Sequence, residues 1–219
     1  MPGKLPLAAL TLFLAAALAV TSADAAEYKA DAGHSSVNFE VRHLFSKVKG
    51  KFKDYSGTFS FDEAKPDASK AEFTIKTATV DTDNAKRDEH LRSPDFFDVA
   101  KSPTISFKSK TTKLDGPKKY KLMGDLTMLG KTRPVAFEVE FLGGGKDPFG
   151  RDLASFTATT TISRKDFGMV WNKTMETGGV LLGDDIKIEV NVEGEKLKVD
   201  AGNKKADGGD KRANPPKAG

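Results

Sequence analysis

The chain has no cysteine, which removes disulfide staples, thiolate catalysis, Cys-ligated zinc and a lipid-modified N-terminal cysteine. Stability has to come from packing. Histidine is almost as scarce, and His34, His43 and His90 stand too far apart for the metal-ligand spacings of a zinc protease. No Gly-x-Ser-x-Gly elbow is present. The one stretch like a phosphate loop has five residues instead of four between Gly124 and Gly130, and it runs into Arg133-Pro134 and a strand rather than a helix. Net charge is also small in the body of the chain. The formal net charge is +4, but Lys196, Lys198, Lys204, Lys205, Lys211, Arg212 and Lys217 all follow Glu195, so the rest is close to neutral. That discounts nucleic acid as a partner, which needs basic residues clustered on a folded face, and leaves the tail for contact with an anionic membrane surface or cell-wall polymer.

Long apolar runs are confined to the start. Residues 1–25 open with Lys4, run apolar from Leu5 to Val20 and end in Ala23-Asp24-Ala25, with small residues where a signal peptidase reads. The run falls short of the ~20 residues that a spanning helix needs. We therefore read residues 1–25 as a secretory signal, residues 26–194 as one domain, and residues 195–219 as a disordered basic tail. The expected compartment is the periplasm. With 38% apolar residues the middle can build one good core.

What the middle has in quantity is alternation. Val37, Phe39 and Val41 share one face against Asn38, Glu40 and Arg42, and the device recurs at Phe59 and Phe61, Phe73 and Ile75, and Ile105 and Phe107. Leu122, Leu126 and Met128 turn at residues 129–131 into Val135, Phe137, Val139 and Phe141, which predicts an antiparallel hairpin. Gly143-Gly144-Gly145 with residues 147–150 reads as a flexible connection. Phe156, Ala158, Thr160 and Ile162, then Ile186, Ile188, Val190 and Val192, complete the series. Val48, Gly50 and Phe52 have the opposite parity to Gly57, Phe59 and Phe61, so the spacing predicts one long second strand bent by a bulge near residues 54–56. About eight strands with one apolar face each make an all-β chain. A two-sheet sandwich would hide those faces, but the bent strand favours an eight-stranded antiparallel barrel.

One insert interrupts the strands. In residues 83–98, Asp83 or Asn84 caps a first helical turn and Ser93-Pro94 opens a second, which predicts two short helical turns at the barrel mouth as a plug or lid. Arg87, Asp88 and His90 beside an apolar opening suit the polar head of an amphiphile, with Phe96 and Phe97 as gate or lining. Asp88 and Arg92 also have the spacing of a structural ion pair. Residues 164–183 form a second excursion with Phe167 and the sole tryptophan, Trp171. The inner face accepts hydrocarbon, at about 0.8 kcal/mol per buried methylene, unless its phenylalanines fill the barrel; composition leaves both open.

His34-Ser35-Ser36-Val37-Asn38-Phe39 with Val41-Arg42-His43, Arg87-Asp88-Glu89-His90-Leu91 with residues 93–98, Gly124-Asp125-Leu126-Thr127 to Thr132, and Arg164-Lys165-Asp166-Phe167-Gly168 occur in that order. Across residues 27–194 the chain resembles the YceI-like family of exported lipocalin-like proteins. The resemblance implies a lipocalin-like barrel around an apolar tunnel, a periplasmic location, frequent homodimers, no cofactor and no settled enzymatic activity. It implies polyisoprenoid-type lipids or amphiphiles such as isoprenoid quinones and fatty amides as ligands. Phe39, Phe59, Phe73, Phe107, Leu126 and Phe137 become the lining, Phe96 and Phe97 the gate, and Arg87, Asp88 and His90 the head-group contacts. The expectation is a non-enzymatic carrier. The alternatives are an enzyme acting on such a lipid with His90 and Asp88 as acid and base, and a ligand-free stress-protection protein with a filled barrel.

Overall fold

The alternating segments form a sheet that closes on itself. The computed structural model describes residues 25–174 and 178–198. The strands are β1 (Ala26–Ala30), β2 (Ser36–His43), β3 (Ser46–Phe52), β4 (Tyr55–Phe61), β5 (Lys70–Lys76), β6 (Val80–Asp81), β7 (Thr104–Leu114), β8 (Lys119–Met128), β9 (Lys131–Lys146), β10 (Asp152–Ser163) and β11 (Leu182–Lys196). All pairings are antiparallel. β1 and β2 lie in line along one edge of β11, with Tyr28 opposite Lys196 and Val37 opposite Val190. β4 and β3 pair with them in the same order, and β5 and β6 pair with those in turn. The first six segments are therefore three interrupted strands. With β7 to β11 they make an eight-stranded barrel, closed where β1 meets β11.

The interruptions explain the parity change. The chain breaks at Lys53 and Asp54, at the leading edge of the expected window, so Val48 and Phe52 before it and Phe59 and Phe61 after it all face inward. Each break strands backbone groups, which neighbouring strands satisfy. Thr79 Oγ1 accepts from the N–H groups of Lys53 (3.2 Å) and Asp54 (3.1 Å), and Lys76 N donates to Asp54 O at 2.9 Å. The Tyr55 hydroxyl donates to Ser35 O. Asp31 N donates to Glu193 O at 2.8 Å, while Glu193 N donates to Ser35 Oγ at 3.1 Å.

Three expectations are corrected. Gly143, Gly144 and Gly145 lie within β9, opposite residues 153–155 of β10, because a Cβ on Gly144 would stand 2.8 Å from Leu153 O and only glycine lets the backbones come that close. The turn shrinks to residues 147–151, where Asp147 accepts from Phe149 N, Arg151 N and Arg151 Nε. The insert holds one α-helix, α1 (Ala85–Arg92), capped by Asn84 Oδ1 accepting from Arg87 N at 3.0 Å. Ser93 ends α1 with extended backbone (ψ 170°) before Pro94, and its carbonyl accepts from Phe96 N at 3.1 Å and Asp98 N at 2.9 Å, so a single turn follows that Asp98 at φ 42° stops short of a second helix. Finally, β11 runs to Lys196, and Leu197 N donates to Glu27 O at 2.7 Å, so the first residues assigned to the tail belong to the barrel. The rest of that tail and nearly all of the expected signal segment lie outside the described residues.

The termini-side end of the barrel is sealed. Phe59, Phe61, Tyr120, Phe141 and Phe156 form a cluster with ring centroids 4.9–5.6 Å apart. Phe156→Ala removes a ring packed on three others and should cost about 3–5 kcal/mol. Phe107→Ala, on a wall with space beside it, should cost markedly less; urea denaturation of the two variants measures the contrast.

Candidate functional site

The barrel is hollow. It encloses a cavity of about 480 Å³, within the roughly 300–1,000 Å³ usual for small-molecule sites. Phe39, Phe73, Phe107, Leu122, Ile186 and Ile188 point inward from their strands but stay only half-buried, because they face space and not one another. Of the filled and hollow barrels that composition left open, the structure is the hollow one. All eight apolar positions singled out from the sequence line it, namely Phe39, Phe59, Phe73, Phe96, Phe97, Phe107, Leu126 and Phe137.

Polar lining stands at both ends, with Ser60, Ser69, Lys70 and Thr112 toward the termini-side end and a basic group at the mouth. There α1 contributes the exposed Lys86 and Arg87 and the half-buried His90, and β2 contributes His43. Arg87 is anchored by one edge, donating from Nε to Thr82 Oγ1 at 2.7 Å and from Nη2 to Thr82 O at 2.8 Å. Among the described residues its Nη1 has no hydrogen-bond partner. His90 Nε2 lies 2.8 Å from Asp95 Oδ2, and its ring stands edge-on to Phe96 and Trp171, with centroids 5.0 and 4.9 Å away. Phe96 and Trp171 are 5.3 Å apart, so these three rings roof the opening. Phe97 turns down instead and packs against Phe52 at 5.4 Å as part of the wall.

Asp88 does not face the cavity. It is buried and accepts from Thr82 N at 2.9 Å and Thr82 Oγ1 at 2.5 Å, which ties α1 to the end of β6. This overturns its assignment as a head-group contact. It also overturns the Asp88 and Arg92 ion pair, since Arg92 donates to Ala78 O and Val80 O, both at 2.8 Å. A buried carboxylate takes the donors nearest in space, and here those are the threonine's.

Sequence reasoning missed Arg164. It is only 2% exposed and donates to Gly183 O (2.9 Å), Met169 O (2.6 Å), Trp171 O (2.8 Å) and Asp184 Oδ1 (3.2 Å). These bonds fold residues 164–171 over the mouth and bring Met169 and Trp171 to the cavity. The signal was parity: Arg164 continues the inward series Phe156, Ala158, Thr160 and Ile162, where a charged residue must find buried partners. The hydrogen bond from Lys165, with the charges of Lys165 and Arg164, holds the Asp184 carboxyl below the ordinary range.

A YceI-like domain model matches residues 28–194. The chain belongs to the YceI-like family. It is 42% identical over 186 residues to a UPF0312 protein of Pseudomonas putida, covering 84% of this chain and 93% of that one. A solved YceI protein of Campylobacter jejuni is 35% identical, with a TM-score of 0.64 over 72% of this chain and 90% of that one. A Saccharophagus degradans domain described as polyisoprenoid binding has a TM-score of 0.55 at 14% identity, covering 79% of this chain and 99% of that one, and shares the fold. In this YceI-like barrel the quoted motifs map to the opening strand, the α1 lid, the β8 and β9 hairpin and the Arg164 turn.

Two outcomes follow for the mouth. Asp88→Ala leaves the buried Thr82 N–H without its acceptor and should cost about 1–3 kcal/mol in urea denaturation. The Asp184 carboxyl is depressed in the fold, so its contribution is present above the unfolded pKa near ~3.9 and is lost as pH falls through the folded value. Asp184→Asn should therefore be less stable than the parent at pH near ~6, and the gap should close below about pH 4 in pH-dependent thermal melts.

Proposed function

We propose that this YceI-like protein binds and carries a long apolar lipid of the polyisoprenoid type, or a similar amphiphile such as an isoprenoid quinone or fatty amide, in the periplasm. The observation that carries the reading is a closed barrel around an apolar cavity with Lys86, Arg87 and His90 lining its mouth. Each methylene buried there contributes about 0.8 kcal/mol, so a long chain gains more from the interior than any head-group contact supplies. Arg87, through its unused Nη1, and His90 sit where a phosphate, carboxylate or quinone oxygen would rest. The naming of the Saccharophagus degradans domain for polyisoprenoid binding accords with a chain-shaped ligand. Export rests on the signal-like residues 1–25.

Binding fits the geometry better than turnover. The acid and base pair expected of an enzyme, His90 and Asp88, is not assembled at the cavity: His90 lines the mouth, but Asp88 is buried against Thr82 and turned away from it.

Native mass spectrometry of the mature protein from its own compartment, with organic extraction of what stays bound, tests the reading. The expected result is a stoichiometric prenyl or acyl species. Ile188→Trp, which fills the mid-wall, should abolish it while the circular dichroism of the barrel is kept. Arg87→Ala should weaken binding of an anionic or quinone-headed ligand about tenfold, the loss of one charge-assisted hydrogen bond. An apo mass unchanged by incubation with prenyl lipids and quinones would overturn the proposal.

A further inference from the structure

The rim of the mouth carries exposed apolar side chains where a soluble surface would be polar. Phe45, at the tip between β2 and β3, is 98% exposed; Val170 is 69% and Val180 40% exposed on the excursion after β10. These tips stand together. Leu44 N donates to Leu181 O at 2.9 Å, which sets Phe45 beside Val180, and the Thr174 and Val180 bridge with Leu181 N donating to Lys173 O at 2.9 Å ties the two described sides of the excursion together. Cations surround them. Arg42 Nη1 donates to Leu44 O at 3.1 Å, Lys131 lies over the turn at Gly168, and Lys173 flanks the bridge. Among the described residues the acids at this rim include Asp95, 2.8 Å from His90, and Asp166, Asp184 and Asp185, of which Asp184 is held by Arg164 and Lys165.

We infer that this rim docks on an anionic phospholipid bilayer, with Phe45, Val170 and Val180 entering the interface and Arg42, Lys131 and Lys173 over the headgroups, so that the cavity opens onto the membrane. Apolar tips ringed by Lys and Arg have the composition that binds anionic interfaces. A second copy is the poorer occupant, because three apolar side chains supply only a small part of the roughly 1,200–2,000 Å² that a stable interface buries. The opposite end is poorer still. Leu114, Leu142 and Phe149 are exposed there, but the aromatic cluster of Phe61, Tyr120, Phe141 and Phe156 stands between them and the cavity, so docking at that end would not open the cavity onto a bilayer. The inference deepens the carrier reading and rests on it for its purpose.

The test uses the full mature chain, basic tail included, with vesicles of phosphatidylcholine alone or mixed with phosphatidylglycerol. The expected result is cosedimentation with the mixed vesicles only, a blue shift of Trp171 fluorescence, and its quenching by brominated lipid. Phe45→Ser combined with Val170→Ser should lower vesicle affinity about tenfold and abolish the quenching, while uptake of a prenyl lipid offered in micelles stays as in the parent. Vesicle binding unchanged in the double variant would overturn the inference in favour of the tail. A concentration-dependent dimer by light scattering that Phe45→Ser abolishes, without rim-dependent vesicle binding, would overturn it in favour of self-association. Rim-dependent vesicle binding by a protein that takes up no lipid from micelles or vesicles would uphold docking and remove the carrier reading instead.

Discussion

A closed barrel leaves no backbone edge to solvent, yet three adjacent strands of this one are broken at a common level, and the fold depends on satisfying the groups those breaks strand. A buried N–H or C=O without a partner costs about 1–3 kcal/mol. The breaks answer one another across the wall: Glu193 to residues 31 and 35, Ser35 to Tyr55, Asp54 to Lys76, Lys53 and Asp54 to Thr79, and Thr77 to Ser102. This seam of hydrogen bonds lets each strand change parity without exposing its apolar face. The same Phe and Val residues can then line both the sealed end and the open one.

Above the seam, arginine does what backbone pairing cannot. Arg92 reaches two carbonyls of the chain before and at β6, Arg87 grips Thr82, and Arg164 takes three carbonyls and a carboxylate. Five donors in a rigid fork suit a segment that has left the sheet and must still be tied to it. The lid and the excursion are thereby held at a fixed height over the cavity. Arg87 keeps an edge free, which makes the mouth polar while the walls stay apolar. Its place on a short, exposed helix also makes it the readily adapted part of the site.

Much of the fold was legible because its signal is local. Phe39, Phe73 and Phe107 announce their inward faces through the two-residue period of a strand, and the parity change between Phe52 and Phe59 announces the bend. Asn84 was legible as a cap for the same reason. The second helical turn was not, because Asp98 reverses the chain by a backbone choice that composition does not reveal. Asp88 looked like a site residue or half of an ion pair with Arg92. Its partner, Thr82, is a residue whose proximity depends on how α1 lies on β6.

The sequence by itself determined which residues face inward, about how many strands there are, and that the interior is apolar with charge kept to the inserts. Those properties follow from the geometry of one strand and its nearest turn. Only the tertiary structure decided that the barrel closes through β1 on β11, that its inner side chains stop short of one another and leave a cavity, and that Arg164 is buried as a staple. Barrel radius and polar pairing depend on the register of strands far apart in the chain. Such distances are properties of the assembled sheet and not of any single segment.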